Sequence, residues 1–223
     1  MTSVFCEELA GQSGSRFAQT LGHNGCRNAV LGTTGRFAII PDLNPLIYGH
    51  SLLVTRIYQR ALMRHLNDDD IIELESVLRS TSFEFMNVAI FHEMLLCFEH
   101  GSSLTSERII CATDHAHLHL LPTSFQIGRK VLTESLAEAK NSGLRQSESI
   151  PSDEYIYLGY FDLGDMAFHR LVLLTSELIP SQFMRKVVGR VLGVRNWNWK
   201  DTSARRLTLG QIPKCFSFNV SLN

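Results

Sequence analysis

A chain of 223 residues fits one large domain, or one domain with an appendage. Hydrophobic residues at 44% and charged residues at 19% give the balance of a globular core and exclude a disordered chain. A net charge of −1 argues against bulk polyanion binding, and no apolar run approaches the ~18 residues that span a bilayer.

Glu7 and Glu8 stand where a signal peptide needs a basic start and an apolar stretch, so the expected location is the cytoplasm. The five cysteines (Cys6, Cys26, Cys97, Cys111, Cys215) are odd in number and form no C-x-x-C pair. That pattern indicates reduced thiols rather than a disulfide framework or a self-contained zinc finger. Charge is unevenly placed. From Pro180 to Asn223 there are eight basic residues and one acid, Asp201, so this tail carries +7 and the remainder −8. Such a split suits either a cationic surface for phosphates or a solvated helix face.

In chain order, Asn28–Leu31, a Gly32-Thr33-Thr34-Gly35 turn and Phe37–Ile40 read as a hairpin. A loop with Pro41, Asn44 and Pro45 leads to a short strand, Ser51–Thr55. Asp68-Asp69-Asp70 opens a helix whose apolar positions Ile71, Leu74, Val77 and Leu78 repeat at helical spacing, running on through Phe85 and Ala89. Strands Met94–Phe98 and Arg108–Cys111 follow, then a histidine run and a short helix over Leu132–Lys140. Asn141–Glu154 is polar and reads as a linker. Tyr155–Tyr160 and Ala167–Leu173 form a second hairpin, and Pro180–Leu192 is an amphipathic helix with Phe183, Val187, Val188 and Val191 inward, ending at Gly193. Hairpin-linked strands with few helices predict an α+β fold.

The segment richest in chemistry is Asp114-His115-Ala116-His117-Leu118-His119-Leu120-Leu121-Pro122. On a strand, period two places His115, His117 and His119 on one face and Ala116, Leu118 and Leu120 on the other. Such a comb of imidazoles could ligate zinc with one position left open for water. Alternatively, one imidazole attacks phosphorus while its neighbours orient it and handle protons. Spacing alone leaves both open.

The run H-x-H-x-H followed by two apolar residues resembles the signature of the histidine triad (HIT) superfamily of nucleotide hydrolases and transferases. Upstream, Asp42-Leu43-Asn44-Pro45 and Gly49-His50-Ser51-Leu52-Leu53-Val54 are similar to that family's D-x-x-P…G-H-x-L-V block. Phe98-Glu99-His100-Gly101 is a weaker match. The resemblance covers about Phe37 to Pro122. It implies a HIT-like antiparallel sheet with a long helix over residues 1–140, a linker at 141–154, and a C-terminal hairpin and helix extension over 155–223.

By the same resemblance, His117 is the nucleophile that attacks the α-phosphorus and carries the nucleotidyl group. His115 and His119 orient it, contact phosphate oxygens and help protonate the leaving group, and His50 supports them. Asp42 accepts from ribose hydroxyls, and Leu43 with neighbouring apolar residues, next to Asn44, sandwiches the base. Glu99 stands where the family usually has Asn, with His100 beside it, and Ala112 where a phosphate-contacting Ser is common; both Glu99 and His100 are expected near the phosphates. The helix opening at Pro180-Ser181-Gln182 offers N–H groups and the Gln182 side chain to the same anion, and Trp197 and Trp199 follow it.

The zinc-ligand positions of metal-bearing relatives correspond to Ser3, Cys6, Tyr58 and His115, so two of four ligands are lost and no metal is expected. No cofactor is implied. The implied partner is a nucleotide. Nucleic acid and membrane are not expected, and a homodimer formed by joined sheets is open. The intact third histidine favours a hydrolase that cleaves a nucleoside phosphoanhydride or phosphoramidate through a nucleotidyl-histidine. The alternatives are a nucleotidylyltransferase, a non-catalytic nucleotide-binding protein and, more distantly, a zinc hydrolase.

Overall fold

The computed structural model describes Phe5, Leu9 and residues 32–87, 90–102, 115–176, 178–195, 197–198 and 220–221. Among them the chain runs through β1 (Gly32–Thr33), β2 (Phe37–Pro41), β3 (Ser51–Thr55), a 3-10 turn (Met63–His65) and α1 (Asp68–Asn87). Next come β4 (Met94–Gly101), β5 (His117–Thr123), α2 (Phe125–Asn141) and β6 (Arg145–Gln146). The last elements are β7 (Glu154–Asp162), β8 (Phe168–Ser176), α3 (Phe183–Leu192) and β9 (Val220–Ser221). The strands form one sheet in the order β6-β8-β7-β4-β5-β3-β2-β1-β9, antiparallel except for the β1–β9 pair. This is an α+β architecture. No described helix is long and apolar enough to cross a membrane.

Alternation along the strands sorts the core into two layers. On one face Leu95, Cys97, Leu118 and Leu120 pack with Tyr155 and Tyr157 against Leu74, Val77, Leu78 and Phe85 of α1. On the other, Met94, Leu96, Phe98 and Leu121 pack with Ile156 and Leu158 under α2 and α3, which contribute Val131, Ala139, Phe183, Val187 and Val188. Farther along that second face, β2 and β3 present Ala38, Ile40, Leu52 and Val54 as an apolar shelf covered by Phe5, with Leu9 and Leu43 at its margin. His117 and His119 stand opposite Val54 and Leu52 in the register, so they project from the second face at the border between helix-covered sheet and shelf.

Several boundaries differ from expectation. The first turn falls at Thr34–Arg36, because Gly32 and Thr33 pair with Ile39 and Ala38; Asn28–Leu31 lies outside the described residues, as does the strand expected at Arg108–Cys111. α2 begins at Phe125 rather than Leu132, with the Ser124 hydroxyl accepting from Ile127 N–H as its N-cap. Gly128 lies inside α2 despite glycine's poor helix propensity. In the fold a Cβ there would lie 1.8 Å from the Met94 methyl, so the glycine lets α2 sit close on β4. The polar stretch expected to be a linker includes β6, which pairs with β8, and β7 joins β4 over eight register pairs, so the sheet continues unbroken past it. The region after residue 154 is thus hydrogen-bonded into the same sheet that holds the histidines.

Arg185, Lys186 and Arg190 of the described tail have partners. Lys186 and Arg190 on α3 bind Glu138 of α2 at 2.7 and 2.9 Å, and Arg190 also reaches Glu134. These exposed pairs clip α3 to α2 with little energy each. Arg185 is different: it is buried, and it points into the histidine site.

Candidate functional site

The loop from β2 to β3 builds the first half of the site by closing on itself. Asp42 N–H donates to His50 O at 3.1 Å, and His50 N–H donates to Ile47 O at 3.1 Å. Asp42 Oδ1 accepts from Asn44 N–H at 2.7 Å, an Asx turn. Gly49, at φ +85, takes the left-handed conformation that swings the chain into β3. His50 is thereby buried with its Nδ1 accepting from Leu46 N–H at 3.0 Å. A backbone N–H can only donate, so His50 in its neutral form carries its proton on Nε2.

That proton is directed at His119. His50 Nε2 lies 2.9 Å from His119 Nδ1. Since His50 donates there, His119 Nδ1 accepts and the neutral ring holds its own proton on Nε2. The Phe98 ring stacks on His119 at 4.4 Å and 18°, fixing its plane.

His117 is set by the opposite arrangement. Its Nδ1 is 2.8 Å from the carbonyl oxygen of His115. A carbonyl can only accept, so Nδ1 bears the proton and Nε2 is left with an unprotonated lone pair. The His117 and His119 rings are 5.1 Å apart, edge to face. One strand therefore presents a basic nitrogen and a neighbouring ring N–H side by side.

The electrostatics keep the imidazoles neutral. Burial lowers the pKa of His117 and drives that of His119 well below its ordinary value. His50 is lowered to about 4, again chiefly by burial, although Asp42 opposes the shift. Burial alone would raise the Asp42 carboxyl; Arg185, His50 and the Asn44 N–H together hold it below its usual value. Asp42 Oδ2 lies 2.8 Å from Arg185 Nη1 and 3.5 Å from both His50 Nε2 and His119 Nδ1. Arg185 Nη2 also donates to Asn44 O, and its Nε to Trp197 O at 3.2 Å.

Asp42, His50 and His119 are close enough together to suggest a cation site. The proton assignment argues against it. With Nδ1 occupied by Leu46 N–H, His50 has only a protonated Nε2 to offer, and Arg185 already neutralises the carboxylate.

The expected site residues divide into two groups. His117, His119, His50 and Asp42 come together, with Leu43 at the edge of the shelf and Asn44 buried against Arg185. The Asn44 side-chain Nδ2 has no hydrogen-bond partner among the described residues. His100 projects from the same sheet face and lies 3.7 Å from Glu154 through Nε2. Gln182 is the left-handed N-cap of α3, and its amide donates to Asn198 at 2.9 Å.

Two expectations need correction. Glu99 alternates onto the opposite face of β4, where it accepts from Leu62 and Met63 N–H at the start of the 3-10 turn and from the Tyr155 hydroxyl at 2.7 Å. It caps a turn and touches no part of the histidine site. His115 ends just before β5, and its Nε2–H donates to Thr55 O at 2.7 Å, beside the Thr55 hydroxyl. That atom is thus committed to backbone rather than to a phosphate, and His115 serves His117 through its carbonyl. Tyr58 stands edge-on to His115 at 5.6 Å. Ser3, Cys6, Ala112, Asp114 and Trp199 lie outside the described residues.

Arg185, Phe98, Thr55 and Phe5 were not anticipated. Phe5 sits edge-on to both His115 and His117 at 5.7 and 5.5 Å. Its signal in the sequence is nil, since a lone aromatic near a terminus has no periodic context. Arg185 was visible only as one of eight tail cations, and its partner Asp42 is 143 positions away.

No family model matches the chain and no curated protein matches it. Among solved structures, a hypothetical histidine triad nucleotide-binding protein from Sulfolobus tokodaii strain7 shares 14% identity, with 74% of this chain and 83% of that one covered and a TM-score of 0.33. A Hit-like protein involved in cell-cycle regulation from Bartonella henselae shares 12% identity over 82% of this chain and 97% of that one, also with a TM-score of 0.33. Both neighbours are HIT-like by description.

Proposed function

We propose that this chain is a nucleotide hydrolase that works through a nucleotidyl group held on His117. The observation that carries the reading is the pairing of proton positions: His117 Nδ1–H is spent on the His115 carbonyl, and His119 Nδ1 is spent on His50. The free atoms are then a lone pair on His117 Nε2 and an N–H on His119 Nε2. A nucleophile beside a fixed donor is the arrangement that attack on a phosphoryl group needs.

In the first step His117 Nε2 forms a bond to the α-phosphorus, and the bond from phosphorus to the leaving group breaks with its electron pair. A phosphate leaving group departs as an anion and takes no proton, whereas the amine of a phosphoramidate departs with the proton of His119 Nε2–H, which the attacking water later restores. His119 Nε2–H donates a hydrogen bond to a phosphoryl oxygen as charge gathers there. The phosphorylated His117 ring keeps its Nδ1 proton and is cationic, so it leaves readily when water attacks phosphorus; that water gives up its proton to solvent, or to His119 where an amine has left. The base would lie at the margin of the shelf, against the half-buried Leu43.

Incubation with a panel of adenylyl and guanylyl phosphoanhydrides and phosphoramidates tests the reading. Release of a free mononucleotide is expected. A product joined to an added sugar or phosphate acceptor would shift the assignment to a nucleotidylyltransferase, and tight binding without any product would make the chain a nucleotide-binding protein.

A further inference from the structure

We propose that Arg185 of α3 is a positioning residue of the histidine centre: by holding Asp42 in a closed ion pair, it fixes the direction of the protons along the His50–His119 chain so that His119 presents an N–H at Nε2. The proposal deepens the hydrolase reading, on which the use of that N–H rests, but the proton arrangement itself does not depend on turnover.

Asp42 Oδ2 lies 3.5 Å from both His50 Nε2 and His119 Nδ1. A bare carboxylate at that distance favours a proton on one of the two imidazoles and makes that ring cationic. A protonated His119 would carry an N–H at Nδ1 facing the His50 N–H, and the 2.9 Å bond between the two rings would become a clash of donors. The chain would have to break or reverse.

Arg185 removes that pull. Its Nη1 is 2.8 Å from the same Oδ2, while Nη2 and Nε are anchored on Asn44 O and Trp197 O. A guanidinium with three fixed acceptors is held rigidly and stays charged. The charged and titratable groups around the two rings are Asp42 from the β2–β3 loop, Arg185 from α3 and His117 from β5; β4 stacks the uncharged Phe98 on His119 and carries His100, which acts on His117 and lies 3.7 Å from Glu154 of β7. Arg185 is therefore the cation that balances Asp42, and both rings stay neutral. This gives the C-terminal helix a task in the site that neither its amphipathic pattern nor its basic composition would suggest.

The test uses the full chain without substrate. Imidazole nitrogen NMR across pH 8 to 3 reads the tautomer and the protonation midpoint of each ring. In the unaltered chain His119 is expected in the neutral Nε2–H form from pH 8 down to 5. In Arg185→Gln the protonation midpoint of His50 or His119 should rise by about one pH unit or more, and in Arg185→Gln with Asp42→Asn it should fall back. Asp42→Asn alone leaves the cation unbalanced and should push both midpoints lower, which keeps the idea testable if Arg185→Gln does not fold. Midpoints unchanged in both single variants would overturn the proposal. A chain that shows these shifts but turns over no nucleotide would overturn the hydrolase reading and leave the positioning role standing.

Discussion

Replacing Tyr155 by Phe separates the structural carboxylate from the chemical site. Glu99 is buried on the α1 side of the sheet and is held by two backbone N–H groups and the Tyr155 hydroxyl. Burial raises its pKa, while those three donors oppose the rise. The Tyr155 hydroxyl is kept protonated, its pKa driven well up by burial and by Glu99, so it donates throughout the accessible pH range. Tyr155→Phe deletes one donor to a carboxylate and leaves the ring in place beneath the Arg64 guanidinium, 5.1 Å away. No cavity opens, so the loss is that of a single charge-assisted hydrogen bond, about 2 kcal/mol, or about 4–8 °C in Tm for a chain of this size. The deficit should be larger at pH 8 than at pH 5, because it falls on the ionised form of Glu99. Urea unfolding should show a lower midpoint at unchanged slope, with turnover at 20 °C unaltered. A several-fold fall in turnover of the fully folded variant, without a stability loss, would refute the placement of Glu99 away from the reacting groups.

Three further outcomes follow from the geometry. His50 titrates near 4 in the folded chain against 6.5 in the unfolded one, so the unfolded state takes up a proton first as pH falls. Stability is full above about 6.5 and is lost toward pH 4, by about 3 kcal/mol from this ring; His50→Gln should flatten the slope of Tm against pH between 7 and 4.5, and identical slopes would contradict it. Phe98→Leu removes the ring stacked on His119 and should cost about 1 kcal/mol beyond lost area, with kcat reduced more than KM changes; a pure KM effect would place Phe98 against substrate instead. Exhaustive chelation should leave activity unchanged, because His50 offers a proton rather than a lone pair toward His119. Loss restored by added zinc would reverse that reading.

The sequence was most informative where one residue's neighbours along the chain determine its fate. Alternation over His117, Leu118, His119 and Leu120 predicts the two faces that β5 shows, and Gly193 ends α3 where expected. Alternation also misled where its phase was left unused: Glu99 sits one step from Phe98, so a strand that turns Phe98 toward His119 must turn Glu99 away. His115 lies beyond the end of the regular strand, and the period-two rule does not reach it. The contacts that complete the site join distant segments. Arg185 meets Asp42 because β7 and β8 extend the sheet and α3 folds back over it, a consequence of strand order that no local pattern encodes. Gly128 shows the same limit from the other side, since its packing on Met94 outweighs its poor helix propensity.

The most direct measurement is mass spectrometry of the chain quenched during turnover of a nucleoside phosphoanhydride, with digestion to locate any added group. One nucleoside monophosphoryl group is expected on the peptide containing His117, and no adduct or turnover in His117→Ala. An adduct on another residue, or His117→Ala turning over at the rate of the unaltered chain, would contradict it.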